Sequence, residues 1–171
     1  SLAENTAEAR LCSIWMDEAR RSVLSAAYWP FLTRITGPDA GEPEGGGLFR
    51  YWMPGCGGWL RFEALDEAGR PADIAAADGA SLLLRIPRAS FRFVRDEPDP
   101  EAWPPEVRAA AALALAAAVA LPLTGQRGQA AEARERASAA LSQARARCGN
   151  LTRRHGEENR YAAARRGGGR A

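Results

Sequence analysis

The chain has 171 residues, 46% of them hydrophobic, enough for one domain with a core of its own, or for a domain with an appendage. All 23 basic residues are arginine and are set against 21 acids, so a net charge of +2 excludes a strongly basic or acidic body. Cys12, Cys56 and Cys148 are odd in number and widely spaced, with the single His155 beside them. They exclude a disulfide framework and a metal site with paired Cys or His ligands, and they fit a reducing compartment.

The opening residues, SLAENTAEAR, carry neither a basic nor an apolar leader region, so no secretory signal is expected in them. Apolar residues then recur with helical period at Ala7, Leu11, Ile14, Trp15, Ala19, Val23, Ala26 and Ala27. Asn5 or Thr6 is placed to cap this helix, Glu4 or Glu8 sits near the positive end of its dipole, and Pro30 ends it. Tyr28, Trp29 and Phe31 read as core aromatics.

Thr36 to Gly47, TGPDAGEPEGGG, is by composition an exposed loop. Alternation follows, with Phe49, Tyr51 and Met53 on one face against Arg50, then Trp59, Leu60 and Phe62 around Arg61 and Glu63. PGCGG between these runs predicts a hairpin or bulged turn that joins them. A phosphate-cradling loop of the G-x-x-x-x-G-K-[ST] type is impossible in a chain without lysine. SLLLRI (Ser81 to Ile86) and SFRFVR (Ser90 to Arg95) predict two more short strands.

Pro104 and Pro105 suit the first turn of the next helix, VRAAAALALAAAVALPLTG, which is uncharged from Ala109 to Gln126. A membrane span needs about 20 apolar residues, and alanine drives insertion weakly. The run is therefore expected to be a helix buried on most of its sides and stopped by Pro122 and Gly125, with no membrane involved. In QAAEARERASAALSQARARC a stripe of Ala130, Ala133, Ala137, Ala140, Leu141, Ala144 and Cys148 predicts a second helix. The short connection makes the two an antiparallel hairpin. From Gly149 onward six arginines meet two glutamates, a local net of +4 on a body of −2, and this segment is expected to be an extended basic tail, disordered on its own.

These elements predict an α+β, mainly α fold, a helical bundle with a long antiparallel hairpin, interrupted by a small antiparallel β-insertion. Residues 1–35 would hold the first helix, 36–96 the loop and β-insertion, 97–148 the hairpin and 149–171 the tail. Few titratable groups converge. His155 lies in the tail, and Cys56 has neither a histidine nor a helix start beside it to lower its pKa. Asp17/Glu18, Asp66/Glu67 and Asp96/Glu97 look like solvated faces or caps. No catalytic, cofactor-binding or metal-binding residues are expected, and no enzyme activity.

Three stretches carry a family resemblance. WMDEARRSVLSAAYWPF (Trp15 to Phe31), YWMP (Tyr51 to Pro54) and FVRDEPDPEAWPPEVRAAAALALAAAVALPLTGQ (Phe93 to Gln126) resemble segments of the head–tail connector (adaptor) proteins of tailed phages and gene transfer agents, the tail tubular protein A type. There they read LDEARRxVLxxxxWxF, YxLP, and an acidic, proline-containing passage through a tryptophan into an Ala/Leu helix ending A-x-P-L-T. The likeness runs from Ala7 to Arg147. It departs at the N-terminus, where only SLAENTAEA stands for an apolar helix, and in the short, glycine-rich β-insertion.

The resemblance implies a ring, dodecameric in the family, docked under the portal protein and extending the DNA channel toward downstream tail stopper and tail proteins. DNA would pass through it without sequence specificity, at the head–tail junction of a virion or virus-like particle made in the bacterial cytoplasm. In several such adaptors the C-terminal segment docks into the portal. That implies Arg153, Arg154, Arg160, Tyr161, Arg165 and Arg166 as the portal-binding residues. The alternative is a nucleic-acid-binding regulatory protein that uses its Arg-rich tail to neutralise phosphates, for which steeply salt-dependent duplex binding would speak.

Overall fold

The computed structural model describes the backbone of residues 6–52, 59–78 and 81–167, and side chains among these as far as Gly149. The chain divides into two units, Ser1–Pro30 with Asp99–Ala171, and Phe31–Pro98.

The first unit is helical. Helix α1 spans Ala7–Ser25, and Thr6 caps it from an extended backbone, its hydroxyl accepting the Ala9 N–H at 3.2 Å. This satisfies one of the orphan donors of the first turn, where Glu8 also meets the positive end of the dipole. Ala9, Ala19, Val23 and Leu24 are buried, whereas Ile14, expected in the apolar stripe, is 70% exposed. The helix closes at Ala26, ahead of Pro30. The buried Trp29 folds back and donates its indole N–H to the Val23 carbonyl at 3.1 Å.

Helix α2, Pro105–Thr124, follows a 3-10 turn over Pro100–Ala102 that Asp99 caps. Pro105 takes the first helical position, where its missing N–H costs nothing. Pro122 is accommodated in the last turn, and Gly125 ends the helix at φ +66°, its N–H donating to the Leu121 carbonyl at 2.9 Å. Thr124 secures the same end by donating its hydroxyl to the Ala120 carbonyl and accepting the Gln126 N–H.

Helix α3, Arg127–Gly167, turns back along α2. Its 41 residues make it about 60 Å long, twice the length of α2. Ala130, Ala144 and Cys148 are buried. The tail expected to be extended beyond Gly149 is therefore helical as far as Gly167. Alanine, arginine and glutamate are strong helix formers, so two interior glycines at about 1 kcal/mol each do not stop the helix.

Among the described residues this unit is packed α1 on α2 and α2 on α3. A helix with neighbours on two sides needs apolar residues around most of its circumference, which explains why α2 has no polar stripe. The expectation that it is buried on most sides does not hold. Only Val107, Ala110 and Val119 are fully buried, and its last turn, with Leu121 and Leu123, is exposed. Packing against two helices covers only part of it. By length and composition alone α2 is long and apolar enough to cross a membrane.

The second unit corrects the expected mainly α fold. Among the described residues it holds seven strands: β1 (Thr33–Ala40), β2 (Glu42–Gly45), β3 (Leu48–Trp52), β4 (Trp59–Leu65), β5 (Ile74–Ala77), β6 (Ser81–Leu84) and β7 (Arg88–Arg95). They form two antiparallel sheets, ordered β1-β7-β4 and β2-β3-β6-β5. The chain is α+β, with a β-unit carrying its own core, not a helical bundle with a small insertion. Tyr51, Leu82 and Leu84 from one sheet meet Ala64, Ala89 and Phe91 from the other, and the rings of Tyr51 and Phe91 touch edge to face at 5.5 Å. The Tyr51 hydroxyl donates to the Ile86 carbonyl at 2.7 Å, and burial pushes its pKa up.

Two local expectations are corrected as well. The run read as a loop over Thr36 to Gly47 supplies most of β1 and all of β2, because β7 and β3 offer those backbones ladder partners. The expected hairpin between the Phe49 and Trp59 runs does not form. β3 pairs with β6, with Phe49 opposite Leu84, while β4 pairs with β7, with Phe62 opposite Phe93. Met53 and Cys56, in the segment between them, lie outside the described residues. Gly41 lets the chain pass from β1 to β2, since a Cβ there would stand 2.7 Å from Phe49 Cβ and from the Tyr51 ring.

Candidate functional site

The sequence directs attention to the far end of α3. Arg153, Arg154, Arg160, Tyr161, Arg165 and Arg166 all fall within its helical backbone, while their side chains lie outside the described residues, as does that of His155. At helical period Arg154, Tyr161 and Arg165 follow one line of the backbone.

What precedes this segment is well defined. Arg147 Nη1 donates to Glu106 Oε1 at 3.1 Å, and Arg145 Nη2 donates to the Ala26 carbonyl, beyond the last turn of α1, at 2.7 Å. The end of α1, the start of α2 and residues 145–148 of α3 thus meet at one end of the helical unit. Glu106 is held below the usual glutamate range, first by its own backbone N–H in the uncapped first turn of α2 and then by Arg147. Burial, with the Glu106 charge behind it, pushes the Cys148 thiol up, so this cysteine is not primed as a nucleophile. Because Arg147 is level with the first turn of α2, the helix beyond Cys148 has run past the start of α2. Its last 19 residues, 149–167, follow that point.

A second polar constellation, missed in the sequence, lies on the outer face of the β2-β3-β6 sheet. Arg50 is its hub. Nε and Nη2 donate to the two carboxylate oxygens of Glu44 at 2.9 and 2.7 Å, and Nη1 donates to Asp78 at 3.1 Å and to the Ser81 hydroxyl at 2.7 Å. The buried Ser81 in turn donates its hydroxyl to Asp78. Glu44 holds the Arg50 pKa up, and Arg50 holds the Glu44 carboxyl below its ordinary range. Two residues along, the Trp52 indole N–H donates to Glu42 Oε2 at 3.1 Å, and the Arg50 guanidinium carbon lies 5.8 Å from the Trp52 ring centroid. The clue was strand parity, which puts Arg50 and Trp52 on one face of β3. The partners come from β2, read as loop, and from the turn before β6.

The described concavities are shallow. One of about 320 Å³ on the β-unit is lined by Asp66, Glu67, Arg70, Ile86, Pro87 and Arg88 among others. Of its two carboxylates, Asp66 is committed to a turn, accepting the N–H groups of Ala68 and Arg70 at 2.9 Å each and the Arg70 side chain besides, and Glu67 lies 3.8 Å from Arg88 Nε. Those bonds, the Arg70 N–H first, keep Asp66 below the usual aspartate range. Among the described residues there is no cluster of His, Cys, Asp and Glu that would hold a metal ion. No family model matches the chain, and none of the curated proteins matches it.

Proposed function

We propose that this chain is a structural head–tail connector of a phage-like particle, assembling as a ring under the portal and extending the DNA channel toward the tail. The observation that carries this reading is the run of α3 past the start of α2 into a segment with five arginines between positions 153 and 166. A basic helix extending beyond its own hairpin is suited to entering an acidic groove of another protein, where guanidinium–carboxylate pairs set orientation.

The incomplete cover of α2 supports assembly. A helix this apolar and this little buried is a surface that neighbouring copies would shield, and a heterologous contact repeated around an axis closes a ring. The function is structural, with the portal, further copies of the chain and downstream tail proteins as partners, and DNA passing without sequence readout. Its place is the head–tail junction of the assembled particle.

Co-purification with the cognate portal tests the reading, with the full chain compared to a chain ending at residue 149. The full chain is expected to be retained and the shortened one lost, while the shortened chain keeps the β signal and loses only the helical signal of residues 150–167. Equal retention would reject the portal-docking role of the segment, and the absence of rings with the portal in negative-stain images would reject the connector reading itself.

A further inference from the structure

The geometry points to a protein-docking site independent of the connector reading: the outer face of the β2-β3-β6 sheet, centred on Trp52 and Glu42, receives an arginine side chain from a partner protein. Trp52 is 61% exposed yet held in one orientation. Its indole N–H is bonded to Glu42, and Arg50 lies against its ring. Arg50 cannot follow an alternative rotamer of the indole without releasing Glu44, Asp78 and Ser81. A large aromatic already fixed in place loses little conformational entropy on binding, which is what makes such residues the energetic centres of interfaces.

Charge selects the occupant. Three carboxylates, Glu42, Glu44 and Asp78, gather around the one guanidinium of Arg50. Arg50 takes both oxygens of Glu44 and one of Asp78, whereas Glu42 Oε1 is engaged by no described residue. An incoming guanidinium can stack on the exposed part of the Trp52 ring and pair with Glu42 Oε1, the same combination of π-face and carboxylate that already holds Arg50 in place. An anionic partner, such as a phosphate backbone or an acidic membrane, meets a net negative face and is repelled. The planar guanidinium matches both surfaces at once, which an ammonium does not.

The probe is the capped peptide acetyl-Gly-Arg-Gly-Arg-Gly-amide, titrated into the full chain while the five tryptophan indole N–H signals are followed by NMR. Trp52→Ala identifies the Trp52 signal. The expected result is a saturable shift of that signal ahead of the other four, absent with the citrulline analogue and about fivefold weaker with the lysine analogue. Glu42→Gln keeps the indole acceptor but removes the charge, and is expected to weaken binding about tenfold. No shift at Trp52, or equal shifts with the citrulline peptide or in the Glu42→Gln chain, would overturn the proposal. A shift of the Trp52 signal on concentrating the protein without peptide would also overturn it, assigning this face to a second copy of the chain.

Discussion

Replacing Tyr51 by phenylalanine removes a single oxygen from the core of the β-unit. The ring stays against Phe91, so packing is preserved while the 2.7 Å bond to the Ile86 carbonyl is lost. A net hydrogen bond contributes about 1 kcal/mol, and the part-buried Ile86 carbonyl left without this donor adds up to about 1 kcal/mol more. A loss of about 2 kcal/mol is therefore expected. With a urea dependence of about 2 kcal/mol per molar, the midpoint should fall by about 1 M. The pH dependence sharpens the test. Burial raises the Tyr51 pKa in the folded chain. Below the unfolded value near 10 both states keep the proton and the stabilisation is fully present; as pH rises through the folded value the unfolded state gains by ionising and the stabilisation is lost. The gap between the wild-type chain and Tyr51→Phe should thus narrow at alkaline pH. Urea unfolding followed by tryptophan fluorescence at pH 8 and at pH 10.5 measures both effects. Equal midpoints at pH 8, or a gap that stays constant into the alkaline range, would refute the reasoning.

Gly41→Ala should destabilise the β-unit by about 2 kcal/mol in the same urea assay, because the added methyl falls within 2.7 Å of Phe49 and Tyr51 in a core that has no room to yield. Thr6→Ala should cost about 1 kcal/mol in thermal unfolding and speed amide exchange at Ala9, whereas Thr6→Ser should restore both. The Glu106 carboxyl, followed by carbon NMR, should titrate below the ordinary glutamate value. Arg147→Gln should raise that midpoint only part of the way, since the backbone N–H is the larger cause. The interaction is present above the unfolded pKa and lost as pH falls through the folded one.

Helix signals were legible because they are local. Thr6 three residues before the N–H it accepts, Pro105 at the first position of α2, and Gly125 in the left-handed conformation after its last turn each act within one turn of chain. The apolar SLLL run and the aromatic-rich SFRFV run likewise marked β6 and β7. The site was less legible. The arginines of the last segment are visible as charge, but the helix that carries them is not, because this polar, basic stretch has no apolar period to mark it. The Trp52 face was hidden because Glu42 and Glu44 sit in a stretch with loop composition.

By itself the sequence determined where α1 begins, where α2 begins and ends, the presence of the β6 and β7 strands, and the concentration of positive charge near the C-terminus; it carried α1 on to Pro30, whereas the helix closes at Ala26. Tertiary structure alone decided that TRITGPDA and EPEG are strands, that β3 joins β6 while β4 joins β7, and that α2 lies between two helices that cover only part of its surface. The reason is the range of the forces. Caps and helical periodicity act between residues three or four apart, whereas a strand is made by a partner backbone that can lie 61 residues away, as Thr33 and Val94 do. Residue preferences of at most about 1 kcal/mol yield to the ladder bonds and core contacts that such a partner supplies.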